Sequence, residues 1–296
     1  MGAYAEQMAH ETGVPFVKGH GTMNDFVILP DAQAQLALSP TRVARICDRR
    51  SGLGADGILR VIPVTAADHV PADSEARWFM DYRNADGSIA EMCGNGARVF
   101  ARFLVNEGWE TDSEFTIETR AGAHRVEVLN DARISVEMGK PAEGPPGPPP
   151  VVRLGDLELP ADAWWLPNPH AVVFVNDVAA LAHPLPAPRV EDHSRFPTGQ
   201  NVEFVEDLTA AGSLEAIMRV HERGVGETLS CGTGACAVSL SLRQRHGVDG
   251  AGVSIVDVPG GRLEVRHAAD GRIDLVGPAD LVGRGNFDAE WWENAG

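Results

Sequence analysis

The sequence predicts a mixed α and β fold built from a duplicated unit, and three observations carry that reading. The unit Cys-Gly-x-Gly-Ala stands at Cys93 in SIAEMCGNGAR and returns 138 positions later at Cys231 in GETLSCGTGAC. The signals before it also recur in order: Asn24 in NDFVIL and Asn168 in NPHAVVFV each open an apolar run, and 33 residues after each comes another strand start, ADGILRV at Gly57 and QNVEFV at Asn201. Near the midpoint, the run KPAEGPPGPPP from Lys140 to Pro150 is too rich in proline for helix or interior strand and reads as a loop or linker between two parts.

The elements follow in chain order. The residues before Val14 read as a disordered extension. PFVKGHGTMNDFVILPD holds a β-like run, Phe26 to Leu29, among glycine and asparagine punctuation, and TRVARICDRRSGLGADGILRV reads as a helix, a Gly-rich turn and a strand. After Cys93, the residues Val99, Phe100, Phe103 and Leu104 fall on one face of an amphipathic helix that stops at Gly108. After Cys231, ACAVSLSLRQRHG is small or apolar nearly all round through Leu242, which marks a buried central helix.

Composition narrows the function classes. A chain of 296 residues with 44% apolar and 23% charged residues has the balance of a soluble globular protein with room for two domains. The formal net charge is −17 and no basic run exists, so nucleic acid and anionic membranes are not expected partners. No apolar stretch approaches the roughly 18 residues that span a bilayer, and MGAYAEQMAHETG lacks the features of a secretory signal, which places the protein in the cytoplasm.

In that reducing compartment Cys47, Cys93, Cys231 and Cys236 are poor material for a disulfide scaffold. A thiol just before a helix start meets unpaired N–H groups and the positive end of the helix dipole, where an anion is favoured. Ionising an ordinary thiol at pH 7 costs about 2 kcal/mol, and those groups offset much of it. Gly94, Gly96, Gly232 and Gly234 would let backbone amides approach a substrate carboxylate. If pseudo-symmetry sets the two sulfurs on opposite walls of one cleft, a thiolate removes a proton from one face of a planar carbon and a thiol returns one to the other. Three plainer readings compete. A Cys93–Cys231 disulfide is disfavoured in the cytosol; a zinc site lacks ligand spacing, since Cys231 and Cys236 have no matching pair; inert burial is preferred for Cys47 and Cys236.

HGTMNDFVILPD, RNADGSIAEMCGNGARVFARF, NPHAVVFV, RFPTGQNVEFV, ERGVGETLSCGTGACAV and VPGGRLEV together resemble the diaminopimelate epimerase family, in order and across most of the chain. The resemblance implies an α+β fold of two pseudo-symmetric domains, each a mostly antiparallel curved sheet wrapped around a central helix. It sets residues 1–137 with a returning segment 281–296 in the N-terminal lobe and 138–280 in the C-terminal lobe. It also implies a homodimer that needs neither pyridoxal phosphate nor metal and interconverts LL- and meso-2,6-diaminopimelate, in lysine and peptidoglycan precursor synthesis. By position, the resemblance makes Cys93 and Cys231 the acid–base pair, and gives the backbone amides of Gly94, Asn95, Gly232 and Thr233 the reacting carboxylate. Asn24, Asn84, Asn168 and Asn201 become substrate-binding asparagines, Glu222 and Arg223 the partners of the amino and carboxylate groups, and His170 an auxiliary histidine. A planar Arg223 fork suits a carboxylate. Gly57 stands where many members have glutamine, and TAADHVPADSEARW is a longer loop than the family minimum. The rival readings are a related cofactor-independent racemase for proline, hydroxyproline or histidine, and an amino-acid-binding protein without catalysis, to which two thiols would be superfluous.

Overall fold

Short apolar runs bounded by glycine, proline and asparagine form strands, and among the described residues only where small residues follow a cysteine does the chain turn to long helix. The computed structural model describes residues 13–68, 70–142, 144–191, 195–210 and 212–296. The extension expected before Val14 lies, apart from Gly13, outside the described residues.

In chain order the first part forms β1 (Val14–Gly21), β2 (Asn24–Pro30), α1 (Pro40–Cys47), β3 (Gly57–Pro63), β4 (Trp78–Asn84), α2 (Gly94–Asn106), β5 (Glu114–Thr119), β6 (Gly122–Val128) and β7 (Ile134–Gly139). There follow β8 (Val151–Leu154), β9 (Leu157–Pro160), β10 (Asp162–Trp165), β11 (Pro169–Val175), β12 (Arg189–Val190), β13 (Asn201–Asp207), β14 (Leu214–Glu222) and β15 (Gly226–Thr228). The chain ends with α3 (Gly232–His246), β16 (Gly252–Val258), β17 (Gly261–His267), β18 (Ile273–Gly277), β19 (Asp280–Phe287) and α4 (Ala289–Glu293).

Two compact units result, one running to Val136 and completed by Pro278–Gly296, the other Glu137–Gly277. The division precedes the proline-rich run. That run belongs to the second unit, where Ala142 N–H bonds to Trp165 O and Arg195 holds the carbonyls of Gly147 and Pro148.

In the first unit the strands lie in the order β7-β6-β5-β4-β3-β2-β1-β19, antiparallel except at β2–β3 and β4–β5. In the second the order is β10-β11-β13-β14-β16-β17-β18, parallel at β11–β13 and β14–β16, with β12-β8-β9 as a small separate sheet. The register repeats with the sequence: Phe26 pairs with Gly57 across β2–β3, and His170 pairs with Asn201 across β11–β13. Phe26 is therefore the counterpart of His170. Leu59 and Glu203, each two residues beyond those partners, match in the same way.

Each long helix is enclosed by its own sheet, α2 by β1, β2, β3, β4 and β19, and α3 by strands from β10 to β18. Val99, Phe100, Phe103 and Leu104 are fully buried, as the apolar face predicts. Burying each large side chain contributes about 1.5–3 kcal/mol, and Phe100→Ala would cost about 3–5 kcal/mol. The opposite face differs from expectation. Every residue from Gly94 to Ala101 is buried, because Gly94, Gly96, Ala97 and Ala101 are small enough to sit under strands, and Arg98 is taken inside with them. The α3 helix is buried from Gly232 to Ser239 and ends at Gly247, whose φ of 62° is the left-handed cap.

The β1–β2 hairpin turns on Thr22 and Met23 alone, with φ of 49° and 62°. Such a two-residue turn favours glycine or asparagine, and for other residues the left-handed region costs about 1–2 kcal/mol each. Among the described residues no helix is long and apolar enough to cross a membrane.

Candidate active site

The two Cys-Gly-x-Gly-Ala units fold into the same local structure. Cys93 is the N-cap of α2, with extended φ and ψ of −142° and 119°, and Cys231 is the N-cap of α3 at −129° and 115°. In each case the sulfur accepts the N–H three residues on, from Gly96 and from Gly234, at 3.4 Å. The amides of the two intervening residues, Gly94 and Asn95 or Gly232 and Thr233, have no intrahelical carbonyl to bond and form the anion-binding end of each helix.

In the first unit β2 delivers Asn24 to the sulfur. Cys93 Sγ donates to Asn24 Oδ1 at 3.7 Å, Asn95 Nδ2 donates to the same oxygen at 3.2 Å, and Asn24 Nδ2 donates to Asp56 Oδ2 at 2.7 Å. Asp56 in turn is held by Arg49. Cys93, Asn24 and Asn95 thus form one hydrogen-bonded group. Asn84 ends β4 opposite Gly57, and its side chain donates to Ser88 Oγ at 2.9 Å in the turn that follows. A Cβ built on Gly57 would lie 2.5 Å from Arg83 O and 2.8 Å from Tyr82 Cε2, so this backbone has closed over the space a side chain would need.

In the second unit Asn201, from the start of β13, turns its Nδ2 toward Cys231 Sγ at 3.8 Å, because its Oδ1 accepts the Arg223 N–H at 3.0 Å. The Thr233 hydroxyl lies 3.5 Å from the same sulfur. Glu222 accepts a hydrogen bond from the Thr228 hydroxyl, and the exposed Arg223 guanidinium donates to Thr198 O and Thr198 Oγ1 at 3.0 Å. His170 Nε2 meets Asn168 Oδ1 at 3.0 Å, while its Nδ1 meets Glu203 Oε1 at 2.7 Å. Both His170 and Glu203 are fully buried.

Glu203 is a site residue that the sequence reading missed. Its Oε1 lies 2.8 Å from where a Cβ on Gly234 would stand, so the carboxylate fills the space under the first turn of α3. In the first unit Leu59 and Phe26 occupy the corresponding place beneath Gly96, at 3.2 and 3.5 Å. The signal was a lone acid inside the apolar NVEFV. Glu203 Oε2 has no hydrogen-bond partner among the described residues.

This arrangement changes the electrostatics of the second thiol. Burial pushes Cys231 well above the ordinary thiol range, the charges of Glu222 and Glu203 push it further, and the Thr233 hydroxyl and Gly234 N–H oppose them. The helix N-terminus alone was expected to ease ionisation, but desolvation and two carboxylates outweigh it here. Cys93 is half-buried, and all four cysteines are free thiols. Cys47 is pushed up to about 12 by burial, and Cys236 is sealed in α3.

A family model described as diaminopimelate epimerase matches residues 16–143 and 166–282. A diaminopimelate epimerase of Streptomyces coelicolor is 46% identical over 290 residues, covering 95% of this chain and 98% of that protein. Among solved structures, a PhzF-family phenazine biosynthesis protein of Bacillus anthracis superposes with a TM-score of 0.66 at 16% identity, over 94% of this chain and 100% of that one. A hydroxyproline epimerase of Agrobacterium vitis gives 0.65 at 11% identity, over 94% of this chain and 92% of that one, so the fold alone is shared with both. With both segments of the family model matched and so close a relative along nearly its whole length, the chain belongs to the diaminopimelate epimerase family.

Proposed function

We propose that this protein interconverts LL- and meso-2,6-diaminopimelate by a two-base mechanism in which Cys93 and Cys231 act on opposite faces of one α-carbon. The observation that carries the reading is the pair of cysteines, each an N-cap of a buried helix in a matching register. One sulfur, as thiolate, takes the α-proton and becomes a thiol; the other, as thiol, gives its proton to the opposite face and becomes a thiolate. Carbon configuration inverts, and the protein's proton count is unchanged. The amides of Gly94, Asn95, Gly232 and Thr233 hold the reacting carboxylate as charge builds on it. Asn24, Asn84, Asn168 and Asn201 hold the rest of the substrate. Glu222 receives an ammonium and Arg223 a carboxylate, and an ammonium at Glu222 would relieve one of the charges that keep Cys231 protonated.

The lysines support a route without pyridoxal phosphate, which needs a lysine for its Schiff base. They are Lys18, tied to Asp25 and to Gly54 O, and Lys140, exposed after β7. The same reading makes the protein a cytoplasmic homodimer supplying lysine and peptidoglycan precursor synthesis; sedimentation at assay concentration tests the dimer.

The test of function is α-proton exchange in heavy water. Deuterium must enter diaminopimelate with the wild-type protein, and Cys93→Ala and Cys231→Ala must each lose inversion while still binding the ligand. Turnover retained in either variant, or no deuterium with wild type, overturns the proposal.

A further inference from the structure

Among the described residues Arg98 is the largest fully buried side chain, and the reaction as described gives it nothing to do. We propose that Arg98 is a positioning residue for the Cys93 half-site: acting through the side chain of Asn95, it fixes which end of the Asn24 amide faces the sulfur. The inference rests on the function proposed above.

A guanidinium only donates. Arg98 Nη2 donates to Asn95 Oδ1 at 2.9 Å and to Thr22 Oγ1 at 3.3 Å, Nη1 to Gly94 O at 3.4 Å and Nε to Pro278 O at 3.3 Å. With its oxygen turned to Arg98, the Asn95 amide must present its NH2 to Asn24, where it donates to Oδ1. Asn24 then has its own NH2 turned to Asp56, and its oxygen is the end that meets Cys93 Sγ. The orientation is set from both ends, by a guanidinium that cannot accept at Asn95 and by a carboxylate that cannot donate at Asn24. The hydrogen bond to Asn24 is one that Cys93 makes as a thiol and loses as a thiolate.

The same guanidinium holds the turn that delivers Asn24. Thr22 and Met23 both sit in the left-handed region, and a Cβ on Gly21 would lie 3.1 Å from Arg98 Nη2 and 3.0 Å from Asn95 O, so the turn rests directly on this group. Backbone strain of this kind persists where surrounding contacts over-determine it. Among the described residues of the second unit the matching position differs: Cys236 stands five residues after Cys231, where Arg98 stands five after Cys93, and Asn201 is oriented by the Arg223 backbone N–H instead. The outcome there is opposite, with an amide NH2 toward the sulfur.

The experiment is a cycle of Arg98→Met, Asn95→Ala and the double variant, read by steady-state inversion of LL-diaminopimelate and by the alkylation rate of Cys93 with iodoacetamide, located by peptide mass. Each single variant should lose about 100-fold in kcat, the scale of an ~1 Å misplacement, and shift the Cys93 alkylation rate. Once Asn95 is alanine, Arg98→Met should cost only what its hold on the Thr22 turn adds, about tenfold at most and well short of its loss in the wild-type background. A purely structural Arg98 would show its full loss in both backgrounds, and that result, or unchanged kcat in Arg98→Met, overturns the inference. If Arg98→Met does not fold, Arg98→Lys replaces it: an unforked donor reaches Asn95 or Thr22 but not both, and should lose about tenfold only while Asn95 is present. Should the wild type itself fail to exchange deuterium, the function fails on its own. Alkylation still decides the relay, which falls if the Cys93 rate is the same in all four proteins.

Discussion

Glu203→Leu tests whether the two halves share one architecture carrying different chemistry at matched positions. The substitution leaves His170 sealed in the protein without the carboxylate that meets its Nδ1 at 2.7 Å, both residues having no exposed surface. Removing one partner of a buried pair costs about 3–5 kcal/mol. At about 3 °C per kcal/mol for a unit of this size, the melting temperature of the second unit should fall by roughly 10 °C or more. The double variant Glu203→Leu/His170→Phe installs the residue types that Leu59 and Phe26 supply under α2, and an apolar pair of matching volume restores most of that loss. Scanning calorimetry with urea melts as a check reads both variants. A single variant melting with the wild type, or a double variant less stable than the single, would refute the claimed equivalence. Activity should stay low in the double variant, because Asn168 has lost the ring that orients its amide.

Other expectations follow from the same contacts. Gly234→Ala should damage activity and stability more than Gly96→Ala, because its new methyl meets Glu203 Oε1 at 2.8 Å, whereas the other meets the movable Leu59 Cδ2 at 3.2 Å; melting curves and kcat give the order. Gly57→Gln should destabilise the first unit, since its Cβ meets Arg83 O at 2.5 Å, and a melting temperature at or above wild type would contradict this. Burial, with the Arg243 charge adding, pulls His267 down from 6.5 to about 4. The unfolded chain therefore binds more protons in that window, so the contribution is whole above pH 6.5 and is lost as pH falls toward 4. For a partly exposed ring it amounts to about 1–2 kcal/mol. Urea melts at pH 7 and 4.5 should differ more in wild type than in His267→Gln.

Both cysteine caps were legible because a cysteine followed by Gly-x-Gly can begin a helix and leave its amides open, and the repeat gave the pattern twice. The buried α3 was legible from its small residues. Arg98 and Glu203 were not, because a charged residue among apolar neighbours reads locally as the solvent side of a helix or strand. What turns them inward is contact with distant parts of the chain, Thr22 and Pro278 for one and His170 for the other. The place of the proline-rich run was hidden for a related reason. Proline marks where regular structure stops, but the run that follows Lys140 is bonded into the second unit rather than strung between the two.

The pairing of β1 with β19 means that the first unit contains both an early and a very late piece of the chain. On the ribosome its opening strands must wait, with one edge unsatisfied, while everything from Glu137 to Gly277 is synthesised; at 5–20 residues per second this is roughly 7–28 s. The second unit, continuous in sequence, has all its material first, so the usual N-to-C order of folding during translation is reversed. A chain cut short before Pro278 would carry a second unit with all its strands attached to a first unit whose β1 edge has no partner.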